Sequence, residues 1–125
     1  MSEHALSQQL ILIAGPYRSG TDGDPARIEA NLAKLEAAAL AVWQRGHIPL
    51  IGEWLALPLA KAAGSRHPGD EIADAMLYPV AHRLLARCDA IYRIAGASRG
   101  ADLDMIVARE HGLTIYTSLE AIPQV

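Results

Sequence analysis

Residues 10–14 read LILIA, five apolar residues in a row halted by Gly15-Pro16. No polar residue alternates within the run, so both faces need cover, which is the situation of an inner strand in a parallel sheet. Parallel strands need long crossovers, and the sequence supplies them. A loop rich in Gly, Ser, Thr and Asp spans 17–23 and leads to Asp24-Pro25. That pair marks a helix start, with Asp as N-cap and Pro in the first turn. The spacing of Ile28, Leu32, Leu35, Ala39, Val42 and Trp43 predicts a helix to about Arg45, stopped by Gly46. Residues 47–51 (HIPLI) predict a second strand, and Pro49 places it at an edge.

Residues 52–63 predict a short helix with Glu53 and Trp54 at its mouth, followed by a loop at 64–69. Gly69 or Asp70 caps a third helix through Ile72, Met76, Val80, Leu84 and Leu85 to Arg87. Pro79 inside it predicts a kink or a break. Residues 90–94 (AIYRI) form a third buried strand, and Gly96, Ser98 and Gly100 punctuate the loop after it. Leu103, Ile106 and Val107 predict a helix over 101–111, with Asp102 and Asp104 in its first turn and Gly112 as its stop. A fourth strand at 113–116 and a last helical turn at 118–122 complete the pattern. Residues 1–7 are polar and expected to fray.

Strands alternating with helices predict one α/β domain over residues 1–125. The expected architecture is a flavodoxin-like or Rossmann-like three-layer sandwich with a mainly parallel four-stranded sheet in the order 2-1-3-4. The switch point then lies between strands 1 and 3, and ligands bind beyond the carboxyl ends of such strands. The loops at 15–23 and 95–100 meet there. They are also the loops richest in small and polar residues.

Composition narrows the function. The net charge is −3, with no basic run, so nucleic acid is not an expected partner. One cysteine, Cys88, allows no internal disulfide and reads as a core residue, which fits a reducing cytoplasm. The first residues lack a basic stretch and a cleavage site, and no segment is long enough to span a membrane. The five histidines are scattered, so no metal site is expected. No G-x-S-x-G or G-x-G-x-x-G occurs. Gly15-Pro16-Tyr17-Arg18-Ser19-Gly20-Thr21 nearly spells a P-loop, but it lacks the Lys and Pro16 removes one N–H. What remains suits a monophosphate, a sugar hydroxyl or a carboxylate, or is a surface turn with a solvated Arg.

Leu12-Ile13-Ala14-Gly15-Pro16-Tyr17, then Cys88-Asp89-Ala90-Ile91, then Ser98-Arg99-Gly100-Ala101-Asp102-Leu103-Asp104 with Ala108 resemble the nucleoside 2-deoxyribosyltransferase superfamily. The pattern also resembles its 2'-deoxynucleoside 5'-phosphate N-hydrolases and a small uncharacterised branch. The likeness covers nearly the whole chain in element order. It implies cleavage or transfer at the N-glycosidic bond of a nucleoside or nucleoside 5'-monophosphate, with no cofactor. In that family a Glu attacks the anomeric carbon; the matching position here is Asp104. Tyr17 matches the residue that orients the nucleophile. Ser98 and Gly100 match phosphate- or sugar-contacting positions, and Gly15, Arg18 and Ser19 lie in the first ligand loop.

The chemistry stands beside the likeness. A carboxylate nucleophile divides one hard displacement into two easier steps. A helix start is expected to keep that carboxylate ionised. Two departures matter. Asp is shorter than Glu by one methylene, roughly 1.5 Å, where attack needs about 3–3.5 Å. The family also carries an Asp, thought to protonate the leaving base, where Ala81 or His82 falls here; Asp74 is more than a turn away. His82 is the candidate proton donor. Glu53 and Trp54 are candidates for a base pocket, or for helix capping and core packing. Asp102 and Asp104 also fit acids that complement a helix dipole, and Tyr17 fits a loop aromatic. The alternative function is an inactive domain that binds and senses a nucleotide or phosphosugar. Leu55, Leu57, Leu59, Met76, Leu77 and Tyr78 exceed what one small core hides, so a homodimer or higher homo-oligomer is expected.

Overall fold

The computed structural model describes residues 7–125, so the fraying expected before Ser7 lies outside the described residues. The chain runs β1 (Leu10–Ala14), α1 (Pro25–Gln44), β2 (Ile48–Ile51), α2 (Gly52–Ala62), α3 (Glu71–Leu85), β3 (Ala90–Arg93), α4 (Arg99–Glu110) and β4 (Thr114–Tyr116), then a short 3-10 turn at Leu119–Ala121. The four strands form one sheet in the order β2-β1-β3-β4. All neighbouring strands are parallel, so the α/β architecture and strand order expected from the apolar runs hold. Ile11 pairs with both Pro49 and Ala90, and Leu12 with both Leu50 and Ile91, which puts β1 in the interior and Pro49 on an edge strand.

The side chains of β1 divide the core between two layers. Ile11 and Ile13 pack with Leu35, Ala39 and Val42 of α1, joined by Tyr116 and Ile122. Leu12 and Ala14 pack with Leu85, Cys88, Met105 and Ala108, under α3 and α4. The unbroken LILIA run is therefore the sequence trace of a strand covered on both sides. Trp43 departs from the expected stripe of α1: it is 62% exposed, and the buried face is Ile28, Leu35, Ala39 and Val42. α1 starts as expected, with Asp24 accepting from the Ala26 N–H and Pro25 in the first turn. α3 is capped by Asp70 and continues through Pro79 to Leu85, so the expected break does not occur.

The amino ends of the strands are tied by polar contacts. The Leu10 N–H donates to Asp89 Oδ2 at 2.8 Å. His47, 1% exposed, accepts from the Gln9 N–H on Nδ1 at 3.0 Å, and its Nε2 lies 2.6 Å from the Pro123 carbonyl oxygen. Nδ1 is the acceptor, so the ring carries its proton on Nε2 and donates it to Pro123. Val125 N–H donates to the Arg45 carbonyl at 2.8 Å, closing the tail onto the α1–β2 turn. Among the described residues no helix is long and apolar enough to cross a membrane.

Candidate active site

The carboxyl ends of β1 and β3 lie side by side, with Ala14 in register with Arg93 and the Ile94 N–H donating to the Ala14 carbonyl. The chain leaves both strands here, and the two exit loops must cross closely. Gly15 makes that possible: a Cβ on it would stand 2.4 Å from Ile94 Cγ1. The first loop is held from α1, where Asn31 Nδ2 donates to the Tyr17 carbonyl at 2.8 Å and the Ser19 carbonyl at 3.3 Å. Thr21 Oγ1 donates to the Arg18 carbonyl at 2.6 Å and accepts from the Gly23 N–H. Its hydroxyl is thus used inside the loop, and the P-loop likeness of this stretch ends there.

The second loop ends at Ser98, whose Oγ accepts from the Ala101 N–H at 3.1 Å and caps α4. The helix therefore begins at Arg99, two residues before the expected start, and only Asp102 lies in its first turn. Asp104 is in the second turn, a correction with chemical consequences. Asp102 points outward and pairs with Arg93 at 3.0 Å, while the Asp104 side chain is 13% exposed.

Between the two loops, α2 and α3 lies a cavity of about 100 Å³. Its walls include Gly15, Tyr17, Arg18, Ser19, Glu53, Ser98, Gly100 and Asp104, so residues from three separate stretches of sequence converge. The fourth wall is a stripe of α3 made by Asp74, Leu77, Tyr78 and Ala81. Asp74 is more than a turn from the place where the resemblance puts the family's second Asp. Yet 74, 77, 78 and 81 follow one helical face, and that periodicity is the signal by which they are found. Arg18 Nη1 bonds Asp74 Oδ1 at 2.7 Å, and Tyr78 packs on Gly100, whose Cβ would lie 3.1 Å from Tyr78 Cε1.

Two expected residues are placed elsewhere. Trp54 does not line the cavity; its Nε1 donates to Glu36 Oε2 of α1 at 2.9 Å. One residue along α2 from Glu53 turns the side chain by about 100°. His82 likewise is not on the wall: its Nε2 lies 3.4 Å from Asp104 Oδ1, behind the carboxyl.

The electrostatics correct a further expectation. Asp104 is not kept low by a helix start; burial, reinforced by Glu53 and opposed by Arg93, pushes it up to about 7. Burial also raises the Glu53 carboxyl, and burial and then Glu53 raise the Tyr17 phenol, with Arg18 opposing. The cavity thus holds two carboxyls that resist ionising together. Such a pair gives up its two protons in separate steps, and Asp104 is the member pushed up to about 7. Among the described residues no group of three or more His, Cys, Asp and Glu comes together to hold a metal.

No family model matches the chain, and no curated protein matches it at a significant level.

Proposed function

We propose that this chain is an N-glycosidase or deoxyribosyltransferase acting on a nucleoside or nucleoside 5'-monophosphate, with Asp104 as nucleophile. The observation that carries the reading is the Asp104 carboxyl, buried in a cavity at the sheet's switch point beside Glu53 and Tyr17. In its ionised form Asp104 attacks the anomeric carbon while the bond to the base nitrogen breaks. The departing base takes up a proton from water as it leaves. Water or a second base then displaces the sugar from the Asp104 ester, returning the carboxylate. Tyr17 orients the nucleophile, and the loop with Arg18 and Ser19, together with Ser98 and Gly100 at the start of α4, receives a sugar hydroxyl or phosphate. The resemblance of the Gly15-Pro16-Tyr17 and Ser98-to-Asp104 stretches to the deoxyribosyltransferases supports the same roles. The lone Cys88, buried and unpaired, fits a reducing cytoplasm.

The test is release of free base from a panel of ribo- and deoxyribonucleosides and their 5'-monophosphates, followed by chromatography. Asp104→Asn is expected to lower turnover by about three orders of magnitude or more with ligand affinity nearly kept, because the amide keeps the shape and loses the nucleophile. Activity unchanged in Asp104→Asn would overturn the role. A ligand-dependent thermal shift without turnover would identify a binding and sensing domain instead. Exposed Leu55 (45%) and Leu59 (44%), one turn apart on α2, support a homodimer or higher homo-oligomer; a monomer mass in light scattering at micromolar concentration would contradict it.

A further inference from the structure

His82 Nε2 and Asp104 Oδ1 face each other at 3.4 Å across the α3–α4 contact. Both atoms are sealed from solvent, and neither has a hydrogen-bond partner among the described residues. Buried polar atoms are rarely left unpaired, and two that face each other this closely need a small closure and reorientation to form one N–H···O bond. We propose that His82 is a positioning residue for Asp104, holding one buried proton on Nε2 against Oδ1 so that the carboxylate is fixed and ionised with its other oxygen toward the cavity. The role in catalysis rests on the reading of Asp104 as nucleophile; the shared proton does not.

The surroundings leave this task to His82. Glu53 of α2 opposes the charge on Asp104. Arg93 of β3 favours it, but its guanidinium is engaged by Asp102 and by the carbonyls of Ile94 and Gly96. Asp74 of α3 is held by Arg18. Tyr17, in the loop after β1, shares the cavity with Asp104. Tyr78, one turn before His82 on α3, lies with its ring centroid 6.5 Å from the imidazole and tilted by 41°. None of these groups is within hydrogen-bond reach of Oδ1. Since His82 is not on the cavity wall, it is also badly placed to protonate a leaving base. It acts through Asp104. When Oδ2 bonds to the anomeric carbon, the carboxylate charge is consumed and Oδ1 becomes the ester carbonyl. The proton stays on Nε2 throughout, donated first to a carboxylate oxygen and then to a carbonyl oxygen.

Carbon-13 NMR of the Asp104 carboxyl tests this without substrate. His82→Leu removes the donor at similar size and is expected to raise the Asp104 midpoint by about one unit or more. His82→Gln keeps an N–H donor and should return it toward the wild-type value. In the wild type, long-range nitrogen-15 correlations should find the His82 proton on Nε2, a measurement that needs no variant to fold. A neutral ring protonated on Nδ1, or an unchanged Asp104 midpoint in His82→Leu, would overturn the proposal. With base release as a second readout, the acid limb of kcat/KM should move up in His82→Leu by the same amount and return in His82→Gln. If the titrations are linked but no nucleoside yields free base, the glycosidase reading falls and the shared proton stands.

Discussion

Arg18 Nη1 donates to Asp74 Oδ1 at 2.7 Å, so a cation lining the cavity is already held by a carboxylate on the adjoining wall. Both side chains are substantially exposed, at 39% and 52%, and an ion pair of that kind stabilises the fold by about 1 kcal/mol at most. Its importance is competitive. An incoming phosphate must displace Asp74 from the guanidinium or bind beside a carboxylate. Asp74→Asn is therefore expected to tighten binding of a nucleoside 5'-monophosphate about three- to tenfold at low salt, read by titration calorimetry. Equal affinity in both proteins would show that Arg18 does not meet the phosphate.

The same guanidinium rests on Gly69, where a Cβ would fall 2.4 Å from Arg18 Cζ and where φ is +89°. Gly69→Ala should cost about 1 kcal/mol or more of stability, from the strained backbone alone. Denaturant unfolding gives the cost. The variant should also lose affinity for anionic ligands, because Arg18 is pushed off its seat.

Asp104 makes stability depend on pH in a direction opposite to an ordinary ion-paired acid. Its folded value near 7 lies above the unfolded 3.8, so the folded state holds the proton more tightly. Its contribution is full below pH 3.8 and is lost as pH rises to about 7. Asp104→Asn removes that loss. At pH 8 the variant is expected to be more stable than the wild type by on the order of 2 kcal/mol, with the gap closing toward pH 4. A melting-temperature series across pH checks it, and a gap that widens on acidification would contradict the assignment.

Turnover should move the opposite way. The nucleophile must be ionised, so kcat/KM for base release is expected to climb through an apparent value near 7, where Asp104 loses its proton. Glu53→Gln removes a charge that raises Asp104 and should move that limb to lower pH. A profile level from pH 5 to 8 would mean that no such carboxyl limits the reaction.

His47 offers a test of the fold apart from the site. Its ring satisfies the Gln9 N–H and the Pro123 carbonyl at once, while almost wholly buried. His47→Ala leaves both unpaired and opens a hole, for an expected cost of about 3 kcal/mol. Chemical denaturation measures it, and ligand binding at the distant cavity should be unchanged.

The architecture was legible because its signals are local. LILIA, Asp24-Pro25 and the Gly112 stop each state a strand, a cap or an end within a few residues. The meeting of the 15–23 and 95–100 loops followed from strand order. The places of Trp54, Trp43 and the Asp74 face of α3 are not legible in the sequence, because helix phase relative to the sheet is set by packing between elements. One residue along α2 separates Glu53 on the wall from Trp54 outside it. The protonation of Asp104 is illegible for a related reason. Position along α4 suggested a dipole effect, whereas burial between α3 and α4 and the nearness of Glu53 decide it.

The contacts that grip the tail, Val125 to Arg45 and Pro123 to His47, all lie where the strands begin, while the cavity lies where they end. A tether fused after Val125 would leave from the pole opposite the cavity. Immobilised by that handle, the protein would present its reaction chamber to the solution. A pull on the handle would be felt first at the α1–β2 turn and only through the length of the sheet at Asp104.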